Sequence, residues 1–140
     1  MSKEENIAAV KRWGAEVANQ GKFDVLDDIL APNFVDHDPA PDQGPGIEGL
    51  KGFFRAFRAA FPDLSTEVEE LVASDNEIAM RYTVRGTHQG SFMGVPPTGK
   101  RFEAAALQIA KFKDGKCVER WGSTDELGIL EQLGIVDRVH

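Results

Sequence analysis

The feature that most constrains this chain is a change of hydrophobic period near residue 62: apolar residues recur at helical spacing before it and alternate after it. Ile7, Val10, Trp13, Val17 and Ala18 follow Ser2, a cap residue with Glu5 three positions on, and predict a helix running to about Asn19, before Gly21. Phe23, Leu26, Ile29 and Leu30 predict a shorter helix ended by Pro32, after which Phe34-Val35-Asp36-His37-Asp38 emerges as extended chain into a Pro/Gly/Asp loop. Ile47, Leu50, Phe53, Phe54, Phe57 and Phe61 form the apolar stripe of a third helix, Gly46 to Phe61, stopped by Pro62-Asp63. Ile78, Met80, Tyr82 and Val84 then alternate with polar positions behind the turn signal Asp75-Asn76. Phe102 to Phe112 and Cys117 to Trp121 predict a second hairpin around Asp114-Gly115, and a last helix is expected near Asp125 to Leu133. Helices first and strands afterwards predict an α+β fold in one domain, residues 1–140, with an antiparallel sheet curved around helices on one face.

The stretch from Arg85 to Lys100 interrupts this pattern, with Gly90, Gly94, Pro96, Pro97 and Gly99 following His88. Glycine and proline end a regular element here, and a loop this long in a compact domain is usually a lid, a binding loop or a linker. Phe92, Met93 and Val95 argue against a solvated linker, so the loop is expected to cover a cavity entrance or a subunit contact.

A chain of 140 residues, 41% hydrophobic, buries roughly 70% of the surface of its unfolded form, enough for one core and one pocket. A net charge of -7, spread along the chain, makes nucleic acid an unexpected partner. No apolar run approaches the roughly 20 residues of a membrane helix, so no membrane partner is expected. The N-terminus has no signal-peptide core, and Cys117 stands alone, which makes a reduced cytoplasmic setting the default. The bland reading of Cys117 is a buried strand residue. No His pair at i, i+4 and no cysteine spacing suggests a metal site, and the glycine-rich nucleotide and Gly-x-Ser-x-Gly hydrolase motifs are absent, so no metal or cofactor is expected.

A two-residue turn at Asp114-Gly115 would set Gln108 opposite Trp121 and Ala106 opposite Ser123 on one sheet face, with Leu107, Ile109, Val118 and Arg120 on the other. The first face combines small residues with polar tips and leaves room for a ligand under the helices, and a β-bulge would shift the register by one. Asp125 continues the parity of that face, although Ser123, Thr124 and Asp125 all suit a helix N-cap. His37, between Asp36 and Asp38, is either a polarised imidazole or a surface residue, and His88 at the loop mouth is either a turn residue or a site residue. His140 is terminal and carries no inference.

The ordered set Phe61-Pro62-Asp63, Gly86-Thr87-His88-x-Gly90-x-Phe92-x-Gly94-x-Pro96-Pro97-Thr98-Gly99-Lys100, Asp114-Gly115-Lys116 and Trp121-x-x-x-Asp125-x-Leu127-Gly128 resembles the SnoaL-like polyketide cyclases. The resemblance runs from Gly21 through Leu30-Ala31-Pro32-Asn33-Phe34-Val35 to Gln132-Leu133-Gly134. It implies a nuclear transport factor 2-like cone around a mostly apolar pocket, assembled as homodimers or homotetramers through the sheet. It also implies an intramolecular aldol condensation without metal or cofactor, with Asp125 at the position of the acid/base aspartate and His37 at that of a pocket histidine. Cyclases of this type can carry a histidine where this chain has Gln108, and glutamine donates a hydrogen bond without exchanging a proton.

The expected activity is therefore cofactor-independent proton transfer on a small hydrophobic carbonyl compound, by a cyclase- or isomerase-type enzyme. Asp125 and His37 are the catalytic candidates, and Gln108, Trp121, Phe54, Phe57, Tyr82, Phe92, Met93 and His88 the substrate-binding ones. Ketosteroid isomerisation or epoxide hydrolysis is a second enzyme class, in which Tyr82 would be the one available tyrosine. A non-catalytic small-molecule binding protein, with Asp125 merely capping a helix, is the alternative.

Overall fold

In the computed structural model, which describes residues 2–137, the period change separates a part that is helical except for one strand, residues 30–36, from four consecutive strands, and all five strands form one curled sheet. His140 lies outside the described residues. Helix α1 (Lys3–Arg12) begins at the expected capping box: the Ser2 hydroxyl accepts the Glu5 amide at 3.1 Å and donates to the Glu5 carboxylate at 3.1 Å. It continues as a π-helical segment, Trp13–Ala18, which buries Trp13 and Val17. Asn19 then ties the helix end to the sheet by accepting the Thr66 amide at 2.7 Å. A 3-10 turn (Phe23–Val25) feeds the short α2 (Leu26–Ile29), and the chain turns directly into β1 (Leu30–Asp36), so Pro32 sits in an edge strand, where a missing donor is tolerated. Helix α3 (Gly46–Ala60) ends one residue before Phe61.

Strands β2 (Ser65–Ala73), β3 (Glu77–Thr87), β4 (Arg101–Lys113) and β5 (Lys116–Thr124) are antiparallel neighbours, in the order β1-β5-β4-β3-β2. β1 pairs with β5 in parallel, so the sheet is mixed instead of purely antiparallel. The cause is topological: β1 follows a helix instead of a hairpin turn, and it enters along the free edge of β5 in the same direction. Thr87 closes β3, which makes Arg85 to Thr87 strand and confines the irregular loop to residues 88–100. Helix α4 (Glu126–Gln132) closes the described fold. Among the described residues, no helix is long and apolar enough to cross a membrane.

Burial along β4 alternates strictly: Phe102, Ala104, Ala106, Gln108, Ala110 and Phe112 face inward, and Leu107 and Ile109 face out, 58% and 43% exposed. The inward face carries two apolar clusters. One joins Val10, Trp13, Leu26, Phe34, Leu50 and Ile78, and the other joins Phe61, Val84, Phe102, Ala104, Ile129 and Leu133. Phe54 packs against both, so the aromatic stripe of α3 roofs the space between them.

The register of the last hairpin departs from the simple two-residue-turn expectation. Asp114 and Gly115 do form the turn, at φ 52° and 80°, but Phe112 pairs with Cys117 and Lys111 with Glu119, leaving Val118 as a bulge residue. Every later pairing slips by one: Ile109 faces Trp121, Gln108 faces Gly122 and Ala106 faces Thr124. Trp121 and Ser123 therefore leave the inward face, and Arg120 joins it beside Gln108.

Candidate functional site

That slip builds a polar group in the middle of the inward face. Arg120 runs along β5 toward Gln108, its Nε donating to Gln108 Oε1 at 2.8 Å and its Nη1 to Asp36 Oδ1 at 2.9 Å. The side chains of Arg120 and Asp36 are 14% and 5% exposed, so the ion pair is largely shielded from solvent. Asp36 is fixed in turn: the Asp38 amide donates to Oδ1 and Gln43 Nε2 to Oδ2, each at 3.0 Å. A carboxylate with this many donors is an anchor for the guanidinium.

Gly122 explains how the arginine lies flat. A Cβ built at this glycine would stand 2.3 Å from Arg120 Nη2, so the side chain occupies the volume that any other residue would fill. From there Arg120 reaches Tyr82, which shares a row with Ala106 and Thr124. Burial pushes the Tyr82 hydroxyl above its ordinary pKa of 10.0, and interactions with Arg120 and Thr124 offset part of that rise. Tyr82 therefore stays a neutral hydrogen-bond donor at neutral pH. Phe53, Phe54, Phe57, Met80 and Tyr82 are half-buried, so each keeps part of its surface accessible.

The sequence candidates separate into three places. Gln108, Tyr82, Phe54 and Phe57 share the inward face with Arg120. His37 and Trp121 lie together on the outer face, their rings stacked at 4.6 Å and 11°, with His37 Nε2 3.0 Å from Glu119 Oε1. This is the direct consequence of the Val118 bulge and of β1 pairing in parallel, since Asp36 points in and His37 out. The same slip takes Asp125 off the inward parity expected of it: it follows Thr124 at the end of β5, opposite the exposed Ala105. Asp125 is itself exposed, and its Oδ1 accepts the Gly128 amide at 3.0 Å and caps α4. No described hydrogen bond engages its Oδ2.

His88, Phe92 and Met93 belong to the loop end. His88 is fully buried and its Nδ1 accepts the Thr98 amide at 3.1 Å, while Phe92 is half-buried and Met93 is 57% exposed. Gly90 lets the loop press on the end of α3, because a Cβ there would lie 2.1 Å from the Ala59 carbonyl oxygen.

Arg120, Asp36 and Thr124 are absent from the sequence candidates. The available signal was Gly122: a lone glycine inside a strand marks a bulge or a close approach, and here it marks the close approach of the Arg120 side chain. Among the described residues, no group of three or more His, Cys, Asp or Glu side chains is arranged to hold a metal ion. Cys117 is buried, and its thiol is pushed up to about 12 by that burial.

Comparison with known proteins gives a consistent pattern. The family model for SnoaL-like polyketide cyclases matches residues 8–133. The aklanonic acid methyl ester cyclase DauD of Streptomyces sp. (strain C5) is 29% identical over 135 residues, covering 91% of this chain and 81% of DauD. Among solved structures, TsrD from Streptomyces laurentii overlays with a TM-score of 0.87 at 28% identity, covering 97% of this chain and 99% of that one. IdmH from Streptomyces antibioticus overlays with a TM-score of 0.80 at 35% identity, covering 92% and 98%.

Proposed function

Because this chain belongs to the SnoaL-like polyketide cyclase family and has the nuclear transport factor 2-like fold, we propose that it is a cofactor-independent acid/base enzyme acting on a small hydrophobic carbonyl compound. The observation that carries the reading is the largely buried Arg120 side chain, held by Asp36 and Gln108 and close to Tyr82. Such donors suit an oxygen that gains negative charge during reaction, and they are worth most where water is excluded.

In this reading a carboxylate takes a proton from the carbon next to a carbonyl, and Arg120 and Tyr82 hold the resulting enolate oxygen. The enolate carbon attacks a second carbonyl of the same molecule, forming the carbon–carbon bond, and the new alkoxide takes back the proton. Asp125 is the proposed carrier of that proton, supported by its place in the family motif and by the free Oδ2 beside Thr124. Association of copies through the outer face belongs to the same proposal, supported by the exposure of Val35, Leu107 and Ile109 at 47%, 58% and 43%. Sedimentation at rising concentration should then show dimers or tetramers that Leu107→Glu disperses.

The test of the base uses 1-tetralone, whose carbon acid exchanges slowly with solvent. In D2O the wild-type protein should accelerate deuterium uptake at the position next to the carbonyl, and Asp125→Asn should lower that rate by about 10²- to 10⁴-fold. Equal rates for the two proteins would overturn Asp125 as base. Binding of 1-tetralone without exchange by the wild type would favour a small-molecule binding protein, the reading supported by Asp125 serving as a helix cap.

A further inference from the structure

The loop end of the inward face holds a buried donor with no partner. Two groups of Thr98 meet His88 Nδ1, the amide at 3.1 Å and the hydroxyl at 3.0 Å. The hydroxyl can give or accept, but the amide can only donate, so Nδ1 carries the lone pair and the hydrogen resides on Nε2. Nε2 is the one buried side-chain nitrogen or oxygen among the described residues without a hydrogen-bond partner, on a side chain that is 0% exposed. An unmade hydrogen bond at such depth is costly, and native proteins keep few of them. The surroundings are aromatic: Phe61 lies 5.7 Å from the His88 ring and Phe92 6.2 Å, with Phe57 and Phe102 completing the cluster around Phe61.

Phe92 is one wall of this cluster. Its amide and carbonyl pair with those of Val95 at 3.0 and 2.8 Å around Met93 and Gly94, which have φ of 52° and 78°. That makes residues 92–95 a closed finger. Between Ser91 and Pro97 the described backbone hydrogen bonds are only these two, and Pro96 and Pro97 have no amide hydrogen to give. The Phe92 ring packs the finger on Phe57 and Phe61, at 6.3 and 5.0 Å.

We propose that His88 Nε2–H is a carbonyl-recognition point, exposed to an apolar ligand when the finger carrying Phe92 swings off the aromatic cluster. The ligand replaces the Phe92 ring against Phe57 and Phe61 and accepts the hydrogen bond that the closed form leaves unmade. The locked tautomer gives the site its selectivity, because a donor on an apolar wall favours a carbonyl oxygen over a hydrocarbon edge of equal shape. The inference shares with the proposed function the view of the inward face as ligand space, but binding, not turnover, decides it.

The experiment compares 1-tetralone with tetralin, which lacks only the carbonyl oxygen, by NMR on protein labelled with nitrogen-15 at histidine. The expected result is a His88 Nε2–H resonance that moves with 1-tetralone and not with tetralin, and about three- to tenfold tighter binding of the ketone, as one added hydrogen bond gives. His88→Phe should bind both compounds equally, and Phe92→Ala should bind both more tightly while keeping the preference for the ketone. An Nε2–H signal unmoved by 1-tetralone, including one exchanging with a buried water, overturns the proposal even if His88→Phe fails to fold. Equal affinity of the wild type for the two compounds, or no binding of either, overturns it as well. A moved signal without deuterium uptake would retain this inference and remove the catalytic reading.

Discussion

The two ends of the inward face are built by different means. At the loop end the backbone itself is the material: Gly90 lies against the Ala59 carbonyl, and Gly86 fits under Phe61, where a Cβ would meet that ring's own Cβ at 2.9 Å. Asp63 there accepts from the Thr87 amide and hydroxyl at 2.7 and 2.6 Å. In the middle of the face, Arg120, Asp36, Gln108 and Tyr82 come from four strands and are joined by side chains alone. The lesson is that a brace made of backbone needs particular residues at fixed spacing, whereas a side-chain network needs only the right register.

The largest test of this contrast is Arg120→Met. It strands the Asp36 carboxylate, 5% exposed, without its cation, and should cost about 3–5 kcal/mol in urea unfolding. Adding Asp36→Leu should restore much of that loss, since a buried ion pair can be replaced by apolar groups of similar size. A double variant as unstable as the single one would mean that the network, and not the unpaired charge, holds the sheet together.

Glycines give the next comparison. Gly90→Ala meets a backbone oxygen that cannot step aside, and about 1–3 kcal/mol of lost stability is expected. Gly122→Ala meets the far end of a flexible arginine instead. The guanidinium can turn away from the new methyl while Nη1 keeps the Asp36 carboxylate, so stability should change by less than about 1 kcal/mol. Deuterium uptake into 1-tetralone should fall, because the remaining donors are re-aimed. Equal destabilisation by the two alanines would erase the distinction between the ends.

The same distinction decides what could be read from the sequence. The capping box at Ser2, the α3 stripe, the Asp114-Gly115 turn and the change of period all act through local chemistry, and they reappear as α1, α3, the β4–β5 turn and the helix-to-sheet boundary. Gln108 and Tyr82 were legible as inward residues because β3 and β4 alternate without interruption. Arg120 was not, because one unpaired residue, Val118, reverses the facing of everything after it, and nothing in Cys117-Val118-Glu119 announces the insertion. For the same reason Trp121 and His37 were expected inside and stand together outside. The parallel entry of β1 was equally hidden, since direction along a sheet edge is set by the preceding connection and not by strand composition.

Asp125 lies where the two modes of construction meet, and two substitutions separate its roles. Asp125→Ala should lose the cap on Gly128 and cost about 1 kcal/mol, within a range of roughly 0.5–2. Asp125→Asn keeps an accepting oxygen and should hold the stability near that of the wild type. Loss of exchange in both variants, with loss of stability in alanine alone, is the outcome that a capping residue also serving as base requires. Loss of exchange in alanine alone would assign the effect to the helix start.

The smallest effect expected is the pH dependence of the loop-end brace. Hydrogen bonds from Thr87 hold the Asp63 carboxyl below its ordinary pKa of 3.8. A carboxyl whose folded pKa is depressed stabilises the fold above its unfolded pKa, and that contribution is lost as pH falls through the folded value. Asp63→Asn should therefore be less stable than the wild type at pH 7, and the gap should narrow as the pH is taken below about 4. Asp63 is exposed, so solvent screening limits the difference to under about 1 kcal/mol. A gap independent of pH would mean that Thr87 is held by the shape of the turn after Phe61, and that the charge of Asp63 adds nothing to it.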